Sequence, residues 1–235
     1  MVNRLTFSLY GVCFIASFVL SFCFAGYRMK RHGVRGKIIF YSMFLNLCTI
    51  LYGGKEYTVI TGGFKNTFLT AGFSGMGGVM GLLLGVLIFR LIVPNERSII
   101  AESYIQAIPL LYAVSKLGCF SVGCCKGIPY DGPFSITYDT PFLQAGPLFP
   151  VQMSESVTFA VIFGAGILIG KTRFDKYNMP VIMGLCAAAK CFWEIFREEY
   201  IPGHMSANRI MCIIFVLISV VWISHIRRKI APSRD

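Results

Sequence analysis

Seven stretches of this chain are apolar enough, and close enough to the right length, to cross a bilayer as helices, and nothing else constrains its fold so strongly. They cover residues 5–25, 38–52, 68–93, 99–114, 151–170, 180–196 and 210–226. A helix needs about 20 mostly apolar residues to span hydrocarbon ~30 Å thick, so the second and fourth stretches are short and must borrow from their flanks. Of the 235 residues, 14% are charged and 55% hydrophobic, whereas a soluble domain carries roughly 25% charged residues. The formal net charge of +11 invites a nucleic-acid reading. DNA binders, however, gather basic residues on an exposed face without discarding polar residues elsewhere, so no nucleic-acid partner is expected. The chain reads as an all-α integral membrane protein, a single polytopic domain over residues 1–235.

The charges predict an orientation. Lys and Arg near helix ends favour the cytoplasmic side, and alternating the connections puts Arg28, Lys30, Arg31, Arg35, Lys37, Arg90, Arg97, Lys171, Arg173, Lys176, Arg227, Arg228, Lys229 and Arg234 together. This side carries 14 of the 22 basic residues and a net +10, leaving +1 for the other. Seven crossings follow, with the N-terminus outside and the C-terminus cytoplasmic. Arg4 and an apolar run ending in Phe24-Ala25-Gly26 have some look of a signal peptide, but the run is long and Arg28, Lys30 and Arg31 follow at once. That is a stop-transfer pattern, so the first segment is expected to be retained. The longest stretch outside the crossings is the loop over residues 115–150, expected to be re-entrant or to lie on the outer side.

Most of the nine cysteines sit inside apolar runs, where a free Cys behaves as a small hydrophobe. Only Cys119, Cys124 and Cys125 fall in a glycine-rich, loop-like sequence. With no His beside them a zinc site is not expected there, and the readings left are a structural loop or a thiol-based oxidoreductase. In the third segment Gly77, Gly81 and Gly85 recur every four residues, a small-residue stripe that lets helix backbones approach closely in lipid. The outer end, residues 72–78, could alternatively approach a phospholipid headgroup.

Ionisable residues in membrane segments are costly and usually face a polar cavity. Lys116, Glu155, Lys190, Glu194 and Arg197 stand out on the outer half. Lys190, Glu194 and Arg197 are spaced i, i+4, i+7 and share one helix face. Lys190 and Glu194 can neutralise each other, which leaves Lys116 and Arg197 unexplained at the same depth. The loop between the fourth and fifth segments is dense in turn formers, among them Gly118, Gly123, Gly127, Pro129, Pro141, Gly146 and Pro150, and such backbone is tolerated at membrane depth only beside protein or a water-filled cavity. Cations gathered there would hold a phosphate.

The run from Ser115 to Pro129, SKLGCFSVGCCKGIP, resembles the signature region of prolipoprotein diacylglyceryl transferase, typically G-R-[IL]-G-N-F-x-N-G-E-x-x-G and in divergent members G-R-x-G-C-F-x-x-G-C-C-Y-G-x-P. Phe149 to Ser156, FPVQMSES, is similar to the family's H-P-x-Q-L-Y-E-S. Lys190 to Glu198, KCFWEIFRE, is similar to R-F-x-x-E-F-x-R-E, and Met205 to Met211, MSANRIM, to L-S-x-x-Q-[IL]-L. The glycine-rich third segment is similar to the family's Y-H-G-G segment, so the likeness covers about residues 65–226.

The resemblance implies a bacterial inner-membrane enzyme that needs no cofactor. It would transfer the diacylglyceryl group of phosphatidylglycerol to the lipobox cysteine thiol of a prolipoprotein, releasing glycerol phosphate, with membrane lipids as its other partners. In the family two arginines bind the headgroup and a histidine has been discussed as base. Here Lys116 and Lys190 stand at the arginine positions and Ser74 approximately at the histidine, while Cys119 and Cys124 replace an asparagine and a glutamate. Gly118, Phe120, Gly123, Gly127, Gln152, Glu155, Glu194 and Arg197 keep family-like identity. Lys116, Lys190, Glu155, Glu194 and His204 are thus the candidate catalytic residues. His204, in the outer loop before the last helix, and the two glutamates are candidate bases, though each glutamate could instead orient a neighbouring cation. Substrate binding falls to Ser74, Gly118, Cys119, Phe120, Gly123, Gly127, Gln152, Arg197 and Arg209. The alternatives are a family member that binds anionic phospholipid without this activity or with another acceptor, a transporter, and a thiol oxidoreductase. Against transport, the sequence carries no inverted repeat and no paired broken helices.

Overall fold

The computed structural model describes residues 2–65, 67–140 and 143–230. Seven helices follow one another: α1 (Val2–Arg31), α2 (Gly36–Thr61), α3 (Gly75–Ile92), α4 (Arg97–Val122), α5 (Val151–Ile169), α6 (Asn178–Glu194) and α7 (Ala207–Ile230). Between α4 and α5 lie two antiparallel strands, β1 (Ile136–Thr140) and β2 (Leu143–Leu148), and a 3₁₀ turn at Asp175–Tyr177 leads into α6. Among the described residues six helices, all but the 17-residue α6, are long and apolar enough to cross a membrane. Their outward faces carry large apolar side chains such as Phe40, Phe44, Leu91, Val161, Leu217 and Val221, a surface suited to hydrocarbon rather than to water.

Contacts divide the chain into two compact units, Ser21–Ile108 and Met1–Leu20 with Pro109–Asp235. The first is organised by the close approach of α2 and α3. A Cβ built on Gly77 would lie 2.3 Å from the Gly53 carbonyl oxygen, one on Gly81 2.0 Å from that of Thr49, and one on Gly85 2.4 Å from Thr49 Oγ1. The four-residue glycine stripe is therefore a backbone-to-backbone seam, as its spacing predicts. Gly81→Ala places a methyl against a fixed carbonyl, and forced overpacking of this kind costs about 1–3 kcal/mol. The thermal unfolding midpoint of the purified protein should fall accordingly. Gly11→Ala, where nothing lies within 4 Å, should leave it unchanged or raise it; equal effects would disprove the seam. Elsewhere in this unit Arg28 reaches Gln106 and Glu102, the latter at 3.1 Å, and Ser42 meets Tyr104 at 3.1 Å.

The segment boundaries differ from the sequence reading where polar groups find partners. Helix α2 runs on through Lys55 and Glu56, because Lys55 Nζ donates to the carbonyls of Phe68 and Leu69, both at 3.2 Å. Helix α3 begins at Gly75 rather than at residue 68, with Ser74 Oγ accepting from Gly77 N at 3.4 Å as its N-cap. The largest correction concerns α4. It continues to Val122, so Lys116, Gly118, Cys119 and Phe120 are helical rather than part of a loop starting at residue 115. The helix need not end at Lys116, since the ammonium meets a carboxylate inside the protein.

The Gly- and Pro-rich loop also holds the unforeseen hairpin. Its register pairs Ile136 with Leu148, Tyr138 with Ala145, Asp139 with Gln144 and Thr140 with Leu143, with an irregularity between Ile136 and Tyr138. The β-branched and aromatic residues of Ile136-Thr137-Tyr138 suit a pleated strand, but flanking turn formers mask so short a run. Pro141, one of the turn formers of this loop, lies outside the described residues.

Candidate active site

Glu155, one turn into α5, is fully buried, and three cations from different parts of the chain converge on it. Lys116 Nζ, near the end of α4, lies 2.8 Å from Oε2. Lys190 Nζ, on α6, donates to Oε1 at 3.3 Å. Arg197 Nη2, three residues beyond α6, reaches Oε1 at 2.9 Å and Oε2 at 2.8 Å. All three cations are more than nine-tenths buried. The Lys190–Glu194 pair expected from the helical spacing is present at 3.9 Å, but Lys190 sits nearer Glu155 and so serves both carboxylates. The i, i+4, i+7 face also needs correction. Helix α6 ends at Glu194, and the next amides bond three residues back, Arg197 N to Glu194 O at 3.3 Å, so a tightened last turn swings Arg197 towards α5.

The elements around the cluster are tied together. Ser156 Oγ donates to the Ala113 carbonyl at 2.8 Å, joining α5 to α4, and Trp193 Nε1 donates to Thr158 Oγ1 at 3.0 Å, joining α6 to α5. Tyr112 and Phe159 stack at 4.8 Å beneath them. Beyond α4 the chain turns at Gly123, whose φ of +71° only glycine adopts freely. Gly127 then pairs with Arg197 in an antiparallel bridge, with Ile128 N donating to Phe196 O at 3.0 Å and Glu198 N to Lys126 O at 3.2 Å. A Cβ on Gly127 would lie 2.2 Å from the Phe149 carbonyl oxygen, so the signature loop threads a gap that admits no side chain. Buried Gln152 donates through Nε2 to the Cys124 carbonyl at 3.0 Å and holds the loop from below.

The three cations and the carboxylates of Glu155 and Glu194 leave a net charge of +1. Burial opposes the charge on Arg197, but the Glu155 carboxylate more than offsets this, and the guanidinium pKa is raised above its usual value. Among the described residues Arg197 Nε and Glu194 Oε2 are buried without a hydrogen-bond partner. Glu194 Oε1 accepts from Ser206 Oγ at 2.6 Å, and Ser206 Oγ in turn accepts from Arg209 N at 3.2 Å, capping α7. Ser206→Ala should remove the cap at a cost of about 1 kcal/mol. The expected drop in unfolding midpoint is about 2–4 °C, and an unchanged midpoint would refute the cap.

The remaining candidates fall into separate places. Glu194, Arg197, His204 and Arg209 border a small cavity of about 120 Å³. His204 is exposed there; its carbonyl accepts from Arg209 Nη1 at 3.4 Å, and the Arg209 guanidinium lies 5.2 Å from the centroid of the Tyr200 ring. Gly118 packs where α4 meets α1, a Cβ there lying 3.0 Å from Cys13 Cβ. Phe120 meets the Tyr138 ring edge-on at 6.3 Å. Ser74 belongs to the other compact unit. The sequence reading did not weigh Tyr10, which lines an open cavity of about 470 Å³ together with Cys124, Cys125 and Lys126. Tyr10 sits far from the signature in sequence and carries no motif of its own, so only the packing of α1 against α4 identifies it.

A helical membrane protein with a buried, cation-rich cluster beneath a glycine-threaded loop is what these features define. The family model for prolipoprotein diacylglyceryl transferase matches residues 1–225, and the chain belongs to that family. A phosphatidylglycerol–prolipoprotein diacylglyceryl transferase of Chlamydia pneumoniae is 23% identical over 138 residues, 56% of this chain and 48% of the relative. The aligned stretch thus spans about half the length of that protein. The Clostridium perfringens protein named phosphatidylglycerol–prolipoprotein diacylglyceryl transferase 2 is 23% identical over 219 residues, 86% of this chain and 83% of its own.

Proposed function

We propose that the protein transfers the diacylglyceryl group of phosphatidylglycerol to the lipobox cysteine thiol of prolipoproteins. It would act in the bacterial cytoplasmic membrane as a seven-pass protein with its N-terminus outside. The observation that carries this reading is the convergence of Lys116, Lys190 and Arg197 on one buried carboxylate, with both lysines at positions where the family resemblance implies headgroup-binding arginines. In the reaction the thiolate sulfur bonds to the glycerol CH₂ carbon, the carbon–oxygen bond to phosphate breaks, and its electron pair leaves on the phosphate. Fixed cations in a water-poor site stabilise that developing charge far better than water does. Glu155, engaged by three cations, positions them. Glu194, with one oxygen free of hydrogen bonds, and His204 in the neighbouring cavity are the candidate bases.

A second reading is a member that binds anionic phospholipid without this activity or with another acceptor. The lysines favour it, because an ammonium keeps the charge but loses the planar fork that grips phosphate bidentately. Complementation of a strain depleted of its own diacylglyceryl transferase, with a mass-shift assay on a lipobox peptide, separates the two. Growth rescue and a diacylglyceryl mass increment are expected. Failure of both, with the protein present in the membrane, would overturn the transferase reading and leave lipid binding.

A further inference from the structure

The headgroup reading leaves three thiols unused. Cys119 in the last turn of α4 and Cys124 and Cys125 just beyond it have Sγ atoms that all lie within 4.8 Å of one another. The three cysteines are free and partly buried. Their placement requires an unusual backbone: Cys125 has φ +55°, a left-handed conformation that costs a non-glycine residue and gathers at functional sites. Buried Gln152 holds the Cys124 carbonyl, as described above, so the arrangement is braced from α5. Zinc bound by thiolates at about 2.3 Å requires sulfurs about 3.8 Å apart in tetrahedral geometry, a separation inside the limit that bounds this triangle. Cys124 and Cys125 open onto the 470 Å³ cavity, so a fourth position would face reachable space, as in catalytic rather than structural zinc sites. Zinc with three thiolates carries a net charge of −1, the complement of the +1 on the neighbouring cluster.

We propose that Cys119, Cys124 and Cys125 bind a zinc ion whose open fourth position takes the acceptor thiol. This rests on the transferase reading and deepens it. The sequence reading set zinc aside for want of a histidine, but a set of three sulfurs with an exogenous fourth ligand needs none. A thiol coordinated to zinc is deprotonated outright, its proton passing to solvent, which supplies the nucleophile without a histidine at Ser74. The sulfur then forms its bond to the glycerol carbon as the carbon–oxygen bond breaks and the electron pair departs on glycerol phosphate. The product thioether is neutral, a weaker ligand, and yields its place to the next thiol.

The full chain, purified in detergent and stripped with a chelator, is titrated with zinc against a chromophoric competitor and separately with cobalt(II). One ion per chain and a sulfur-to-cobalt charge-transfer band are expected. A lipobox peptide should alter the cobalt spectrum, whereas its Cys→Ser counterpart should not. Cys124→Ser should weaken binding by more than about 100-fold, while Cys48→Ser, on an exposed face of α2, should not. Absence of stoichiometric zinc in the unmodified chain, equal binding by Cys124→Ser, or a cobalt spectrum indifferent to the peptide would each overturn the inference. Transfer by the metal-free protein would also overturn it and leave the proposed function standing. Zinc and peptide thiol bound without any transfer would instead overturn the proposed function and leave the metal site.

Discussion

Replacing Glu155 with glutamine should cost the protein about 3–5 kcal/mol, the usual penalty when one partner of a buried ionic cluster is removed and the other charges stay behind. Glutamine preserves the volume but cannot compensate Lys116, Lys190 and Arg197, which lie 2.8, 3.3 and 2.8 Å from the carboxylate. The local charge would rise from +1 to +2 with no solvent to screen it, since Glu155 is fully buried and the cations nearly so. The measurable outcome is a large drop in the unfolding midpoint in detergent and reduced accumulation in the membrane. Glu155→Asp, which keeps the charge but shortens its reach, should fall between. A Glu155→Gln protein as stable as the parent would mean that the three cations do not depend on this carboxylate.

Truncating either lysine should have the opposite profile. Lys116→Ala or Lys190→Ala leaves two cations against Glu155 and Glu194, a neutral set, so the fold should survive better than in Glu155→Gln. Transfer should fall by about 10²–10³-fold, the range seen when one preorganised group stabilising a developing negative charge is removed. Lys116→Arg and Lys190→Arg should keep or raise activity, because the planar guanidinium adds a bidentate grip on phosphate. Mass-shift assays on a lipobox peptide, run beside unfolding midpoints, distinguish lost chemistry from lost structure. Alanine variants that transfer normally would show the headgroup assignment to be wrong.

The two profiles differ for a reason the sequence conveys only in part. It marks Lys116, Glu155, Lys190, Glu194 and Arg197 as ionisable residues in an apolar context, and that identification needs no structure. It does not say which charge compensates which. Helical spacing favoured a local Lys190–Glu194 pair, yet Lys190 sits closer to Glu155, 35 residues away in the chain, because the packing of α6 against α5 brings that carboxylate nearer. Glu194 keeps Lys190 at 3.9 Å and takes its hydrogen bond from Ser206, 12 residues ahead. The α4 boundary was misplaced for the same cause: Lys116 looks like a helix end until Glu155 appears beside it.

The glycine stripe shows the other side. Four-residue spacing of Gly77, Gly81 and Gly85 is a property of one helix, so a seam with a neighbour could be expected before the neighbour was known; that the partner is the Thr49–Gly53 backbone of α2 came from the fold. The hairpin of β1 and β2 was hidden because a five-residue strand among prolines and glycines carries too little periodicity to register.

By itself, then, the sequence determined the solvent, the number of helices and the residues carrying the family pattern, since apolar length, helical spacing and local motifs are all properties of contiguous chain. Tertiary structure alone decided that three distant cations share one carboxylate and that Cys119, Cys124 and Cys125 form a triangle of sulfurs within 4.8 Å. Coulombic and coordinative interactions depend on distance in space, and the distances here are set by the packing of α4, α5 and α6 and by the left-handed turn at Cys125.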